Sequence, residues 1–259
     1  MDAHKLGRYS FIGSEPFLTL SARGSEITLT QGTEKSHLIG NPFDILNHFL
    51  EVYRLDSCSS PVPFIGGAVG YFSYDLRHRI ESLPRRCEYD LDVPEFILCL
   101  YDGGLVFDHV RGVTEWVGPA GVEPRIPEPA PDGPPERLEP VTLRSNFTRD
   151  GYLRAVRRAR EYIAAGDIFQ VNLSQRFSGV CPSSGLAVYS RLRRLNPAPF
   201  SAYLKYPDFE IMCSSPERFL LLDGERVETR PIKGTRPRRA GDPAFNRRME
   251  RELLSLIHI

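Results

Sequence analysis

The chain has 259 residues, enough for one large or two ordinary domains, and at 41% hydrophobic it has ample material for a core. Lys and Arg number 33 and Asp and Glu number 33, and this zero net charge excludes a general nucleic-acid binder, which is basic overall. No run of about 18 apolar residues occurs, which excludes a transmembrane helix, and the opening stretch through Arg8 lacks the apolar centre of a signal peptide.

Five cysteines (58, 87, 99, 181 and 213) are scattered, odd in number and without Cys-x-x-Cys spacing. They read as reduced thiols of a cytoplasmic protein rather than as a disulfide frame or a structural zinc site.

In chain order, Arg8 to Gly13 and Phe17 to Ala22 read as two short strands, broken at Gly13 and Pro16. Glu26-Ile27-Thr28-Leu29-Thr30 is a third, alternating strand after the turn at Gly24. Asn41-Pro42 is a helix cap followed by proline at the first helical position. Phe43, Leu46, Leu50 and Tyr53 recur at helical spacing and predict an amphipathic helix over 42–55, packed on a sheet. His48 in this helix has Val52 at i+4, so it reads as a core or surface histidine rather than a metal ligand.

Residues 63–75 are glycine-rich but match neither common phosphate-loop pattern. They read as a buried strand whose glycines admit another backbone. Residues 95–101 and 104–108 predict a hairpin across Asp102-Gly103, and 113–117 an added edge strand. Residues 119–140 hold eight of the 22 prolines and form an extended linker. It separates a first region, 1–118, from a second, 141–259.

In the second region Thr148 caps a helix running to about Ala165, and Gly166 stops it. Tyr152, Val156, Ala159 and Ile163 form its apolar stripe; Arg154, Arg157, Arg158 and Arg160 form a solvated face. Residues 168–177 alternate, with Phe169, Val171, Leu173 and Phe177 on one face and Gln170, Asn172, Ser174 and Arg176 on the other. The polar face of such a strand meets either water or a polar cavity. A helix through Val188, Leu192 and Leu195 ends at Asn196-Pro197, and 200–206 with 209–214 form a hairpin.

The densest chemistry follows, from Ser214 to Arg239. Phe219 to Leu222 and Arg226 to Thr229 flank Asp223-Gly224, a strong hairpin signal. A turn centred on these two residues pairs Leu222 with Glu225 and sets Glu217 opposite Arg230, with Lys233 just past the hairpin's end. Pro231 cannot donate to a ladder and Gly234 permits close backbone approach, so the strand gives way to a loop at the lysine. From spacing alone Lys233 is either solvated or reactive, and Glu217 is either a cross-strand partner of Arg230 or an acid beside the amine. The basic run from Arg230 to Arg239 suits a local anion site.

Four segments occur in the order found in the chorismate-utilising enzymes: Gly166-Asp167-Ile168-Phe169-Gln170-Val171-Asn172-Leu173-Ser174-Gln175-Arg176-Phe177, Asn196-Pro197-Ala198-Pro199-Phe200-Ser201-Ala202-Tyr203-Leu204, Ser215-Pro216-Glu217-Arg218-Phe219, and Thr229-Arg230-Pro231-Ile232-Lys233-Gly234-Thr235-Arg236-Pro237-Arg238. The chain resembles this family, which includes anthranilate synthase component I, aminodeoxychorismate synthase component I, and the isochorismate and salicylate synthases. Residues 7–13 and 66–71 resemble the N-terminal region shared by the first two.

The resemblance implies an α+β fold of large, mostly antiparallel sheets packed as a sandwich with outer helices. It also sorts within the family. Where isochorismate and salicylate synthases carry a lysine that activates water, this chain has Gln170, as in the ammonia-using branch. Anthranilate synthases typically read Pro-Ile-Ala-Gly-Thr, aminodeoxychorismate synthases Pro-Ile-Lys-Gly-Thr, and this chain has Lys233. The implied activity is amination of chorismate to 4-amino-4-deoxychorismate, on the route to 4-aminobenzoate and folate, with ammonia from a glutamine amidotransferase partner. Anthranilate synthesis for tryptophan is the alternative, and a fragment retaining only ligand or partner binding is another.

In the implied mechanism Lys233 is the nucleophile and Glu217 assists departure of the C4 hydroxyl, while Gly234 and Thr235 contact chorismate. A free lysine titrates at about 10.4, so Lys233 needs desolvation or the cationic neighbours Arg230, Arg236, Arg238 and Arg239 to lower it. A tryptophan site is implied at Leu6, Gly7, Arg8 and Tyr9 with Pro199, Phe200 and Ser201. Magnesium is the implied cofactor, held in the family by one glutamate of a Glu-Lys-Asp-x-Ala-Glu-Asn type segment that follows position 255 and by a second glutamate that also lies beyond this point. Here the chain reads Leu256-Ile257-His258-Ile259, so the expectation is a piece of a longer frame, missing a strand upstream and the metal ligands downstream, and inactive alone.

Overall fold

The structure, a computed structural model, describes residues 6–54, 62–85, 89–119, 121, 138–232 and 234–255. The chain divides into two units, Met1–Pro131 and Asp132–Ile259. The first contains β1 (Tyr9–Ile12), β2 (Leu18–Arg23), β3 (Glu26–Gln31), β4 (Glu34–Ile39), α1 (Pro42–Val52), β5 (Gly67–Phe72), a 3-10 turn (Tyr74–Leu76), α2 (Arg77–Ile80), β6 (Phe96–Tyr101), β7 (Gly104–Asp108) and β8 (Val113–Val117). They form a five-stranded sheet, ordered β4-β3-β2-β6-β5, and a three-stranded sheet, β1-β7-β8.

Alternation builds the core of this unit. Leu18, Leu20 and Ala22 of β2 all point inward and are buried, and Ile27, Phe96, Leu98 and Leu100 join them. Each fully buried aliphatic or aromatic side chain contributes about 1.5–3 kcal/mol relative to exposure. The helix α1 covers this core with Phe43, Ile45, Leu46 and Phe49. Asn41 caps it, its Oδ1 accepting from the Phe43 N–H at 2.9 Å. Leu50 of the predicted stripe is instead exposed, as is His48.

Two expectations are corrected in this unit. The hairpin across Asp102-Gly103 does not form, because β6 is bonded on its two edges to β2 and β5 while β7 pairs with β1 and β8. The continuous apolar run Phe96 to Leu100 is buried along its length, as befits a strand covered on both faces. Residues 67–72 form a half-exposed edge strand rather than a buried one. The close backbone approach does hold there: a Cβ at Gly70 would collide with the Ile97 carbonyl. The sequence also conceals β4, a wholly exposed strand recruited by a two-residue turn in which Gly32 takes a φ of 59°.

The second unit contains β9 (Arg144–Ser145), α3 (Arg149–Ala165), β10 (Phe177–Ser178), α4 (Gly185–Leu195), β11 (Phe200–Lys205), β12 (Glu210–Ser215), β13 (Arg218–Asp223), β14 (Arg226–Arg230) and α5 (Pro243–Ser255). Its strands pair as two-stranded ribbons: β9 with β10, β11 with β12, and β13 with β14. Thr148 accepts from Gly151 at the start of α3, and Gly166 ends the helix at a φ of 81°. The alternating run 168–177 is not a strand: only its last residue enters the short β10, and Phe169 is 95% exposed. Alternation supplies a surface but not a hydrogen-bonding neighbour, and among the described strands the run pairs only with β9, at Phe177.

All described ladders are antiparallel, and with the helices they make the α+β fold expected from the sequence. Among the described residues no helix is long and apolar enough to cross a membrane.

Candidate active site

The site is built on the ribbon β13–β14, whose register differs from the expected one. Its turn is Gly224-Glu225, with Gly224 at a φ of 58°, and Asp223 stays in the strand opposite Arg226. Glycine at the first central position suits a type II′ turn, so the loop starts one residue later than an Asp-Gly turn would place it. Leu222 therefore faces Val227 and Leu221 faces Glu228. A bulge between Leu221 and Arg218 then brings Arg218, not Glu217, opposite Arg230.

Glu217 lies just before β13. The Ser215 hydroxyl donates to the Glu217 carbonyl at 3.2 Å and accepts from its N–H at 3.4 Å, fixing this corner. The Glu217 carboxylate reaches over the open end of the ribbon, where Oε2 accepts from the Ile232 N–H at 3.2 Å. The carboxylate is thus tied to the residue that precedes Lys233. Lys233 itself lies outside the described residues. The alternative reading of Glu217, as cross-strand partner of Arg230, is overturned, because Arg230 binds Glu228.

Glu228 is the site residue that sequence reasoning missed. Its carboxylate accepts from Arg230 at 2.7 and 3.0 Å and from Arg218 at 2.6 Å, and Arg226 stands 3.6 Å away. Only 15% of the side chain is exposed. The Arg230 hydrogen bonds foremost, with those of Arg218, hold its carboxyl down to about 2, against the opposing pull of desolvation. A signal was present: Arg226, Glu228 and Arg230 share one face at period two.

Gly234 and Thr235 lie exposed in an irregular stretch after the hairpin. Arg236 donates to the Thr235 carbonyl at 3.0 Å and pairs with Glu252 of α5 at 3.4 Å. The Arg239 guanidinium sits 4.1 Å from the Phe245 ring centre. Asn246 clamps the Arg239 backbone, accepting from its N–H at 2.9 Å and donating to its carbonyl at 2.8 Å. Three of the four arginines expected to lower the lysine, Arg230, Arg236 and Arg239, are therefore engaged by Glu228, Glu252 and Phe245. Gln170 is exposed and donates to Asn172 at 3.4 Å.

The segments implied for tryptophan lie in different units. In the first, Gly7 is buried, and the Arg8 guanidinium grips Asp108 through bonds of 2.8, 3.2 and 3.3 Å and covers the Tyr9 ring at 4.8 Å. In the second, the Ser201 hydroxyl donates to the Ala198 carbonyl at 2.8 Å, and Phe200 lies under the Arg218 guanidinium at 5.3 Å. Among the described residues no three His, Cys, Asp or Glu side chains gather as a metal-ion site.

Comparison with known proteins places these features in a family. The profile of the chorismate binding enzymes matches residues 7–256. Aminodeoxychorismate synthase component 1 of Salmonella typhimurium is 35% identical over 255 residues, covering 96% of this chain and 56% of that protein. Anthranilate synthase component 1 of Thermus thermophilus is 40% identical over 204 residues, covering 74% of this chain and 44% of that protein. The crystal structure of anthranilate synthase component I from Streptococcus pneumoniae matches with a TM-score of 0.71 at 24% identity, covering 85% of this chain and 53% of that one, and supports the fold. The chain spans about half the length of the curated relatives it matches. It belongs to the chorismate binding enzyme family.

Proposed function

We propose that the chain carries the nucleophile and acid of a chorismate-aminating subunit of the aminodeoxychorismate synthase type. The observation that carries this reading is the Glu217 carboxylate held on the Ile232 N–H, one residue from a lysine in the Pro231-Ile232-Lys233-Gly234-Thr235 segment. A carboxyl tied to the residue that precedes a lysine in the sequence suits a displacement in which a hydroxyl must leave as a nucleophile attacks.

The Lys233 amine, in its neutral form, attacks C2 of chorismate; the two conjugated ring double bonds shift and the C4 hydroxyl leaves as water, taking a proton from Glu217. Ammonia then adds at C4, the two double bonds shift back, the lysine departs from C2 as the free amine, and the new C4 ammonium returns a proton to Glu217. Two displacements retain configuration at C4. The Ile232 N–H holds Oε2 of Glu217, which leaves the other oxygen for proton transfer. Gly234 and Thr235 would contact the substrate, and an amidotransferase partner would deliver ammonia from glutamine.

A second reading, anthranilate synthesis, draws on the 40% identity to the Thermus thermophilus protein. The product decides between them. The full-length protein that contains this chain is incubated with chorismate, ammonia and magnesium, and the product is either trapped as 4-aminobenzoate by a lyase or detected as anthranilate. The expected product is aminodeoxychorismate. Its formation is abolished in Lys233→Ala and reduced by about 10²–10⁴-fold in Glu217→Gln. Anthranilate as product, or undiminished amination by Lys233→Ala, overturns the first reading.

A further inference from the structure

Arg218 and Arg230 are direct partners across the ribbon β13–β14. Like charges set directly opposite each other push a strand pair apart. The bulge makes this worse, because Phe219 and Leu220 have no partner on β14 and the ladder cannot enforce register there. Yet this is the stretch that must hold its register, since Glu217 precedes Arg218 and Ile232 follows Arg230 by two residues. A slip of one residue would carry the Glu217 carboxylate off the Ile232 N–H.

We infer that Glu228 is a positioning residue for the amination site: wedged between Arg218 and Arg230, it replaces the missing ladder bonds and keeps Glu217 on the Ile232 N–H. The inference rests on the role proposed above for Glu217. Three features support it. The Glu228 carboxylate bonds both opposed guanidiniums at 2.6 to 3.0 Å, so one negative charge screens two positive ones. The Arg218 guanidinium is also seated on the Phe200 ring, which anchors the cluster to β11. And the cluster is largely shielded from water at Glu228, where charge interactions are stronger than at the surface. Glu228 remains ionised at neutral pH, so the clamp is closed under working conditions.

The test separates position from folding. Glu228→Gln preserves size and an acceptor but removes the charge. Amide hydrogen exchange is followed at Ile232, with the amides of α3 and of β11–β12 as internal controls. The expected result is exchange at Ile232 about tenfold faster, the scale of losing one charge-assisted hydrogen bond, with the controls unchanged. The double variant Arg218→Gln/Glu228→Gln, which removes one of the opposed cations, is expected to recover part of that protection. In the amination assay Glu228→Gln is expected to lower kcat with a smaller change in KM.

Unchanged exchange at Ile232 in Glu228→Gln overturns the inference, as does an Ile232 amide already unprotected in the parent protein. Faster exchange at Ile232 and all controls together also overturns it, since Glu228 would then support the whole unit rather than the site. Survival of amination in Glu217→Gln has a different meaning: it defeats the proposed reaction while leaving the exchange result to stand by itself.

Discussion

In the first unit Leu20, Ile27 and Phe96 are sealed from water inside a five-stranded sheet, whereas in the second Phe169, Val180 and Phe219 lie almost entirely in water. The first unit is ordered by apolar burial that many residues share. The second is ordered locally, by helix caps, a seated guanidinium, an asparagine clamp on Arg239 and the carboxylate of Glu228 between two arginines. Polar links of this kind fix distances between particular groups but add little to overall stability, because water competes for each partner. The candidate chemistry lies where geometry is set by such links.

That contrast is broken or sharpened most strongly by truncating one phenylalanine in each unit. Phe96 is 0% exposed, and Phe96→Ala is expected to destabilise the protein by about 3–5 kcal/mol, the cost of lost burial plus a residual cavity. Phe219 is 89% exposed, and Phe219→Ala is expected to stay within about 0.5 kcal/mol of the parent. Denaturant melts of the two variants measure the difference. Comparable losses would show that the second unit too depends on a shared apolar core.

Acid sensitivity gives a smaller separation. Arg8, through its hydrogen bonds to Asp108, holds that carboxyl well below the usual carboxylate range, with the Arg111 and Val110 N–H groups assisting. A carboxyl lowered in the folded state contributes stability that is complete above its unfolded value of about 3.9 and is lost as pH falls through the folded value. Asp108→Asn is therefore expected to lower the melting temperature at neutral pH and to approach the parent as pH drops below 4. The Glu228 carboxyl follows the same sign between its unfolded value of about 4.3 and its folded value of about 2, but its loss loosens one ribbon rather than the core. A constant gap between Asp108→Asn and the parent across this range would detach Asp108 from the acid limb.

How far each unit could be read from sequence follows the same division. The alternation of Leu18, Leu20 and Ala22 and the cap at Asn41 announce β2 and α1, because burial periodicity and capping are local properties. The pairing of β6 with β2 and β5 was not legible, since a buried run such as Phe96 to Leu100 does not name its neighbours. At the site, Glu217 and the lysine segment stood out as residue types, but the Glu217 contact depends on a bulge and on a turn shifted by one residue. Nothing in Asp223-Gly224-Glu225 announces which pair forms the turn. Glu228 was overlooked because its function is exerted on Arg218 and Arg230 rather than on a ligand. The alternating stretch around Gln170 misled for the converse reason: its pattern is that of a strand, but pairing needs a partner that pattern alone does not supply.

The smallest expected effect compares two helix caps of the same chemistry. Asn41 caps α1 and Thr148 caps α3, each side-chain oxygen accepting one of the first backbone N–H groups. Replacing such a residue by alanine typically costs about 1 kcal/mol. In α1 the buried Leu46 and its neighbours share a cooperative core, so Asn41→Ala is expected to lower the global stability of the unit by that amount. In α3 no residue is fully buried, and a helix held by little packing opens locally. Thr148→Ala is therefore expected to speed amide exchange in the first turns of α3 by about fivefold, the equivalent of roughly 1 kcal/mol, while leaving the melting of the first unit unchanged. Exchange in α1 and α3 measured side by side reads the difference. If Asn41→Ala proves as local as Thr148→Ala, the order of α1 rests on its own hydrogen bonds and not on the sheet beneath it.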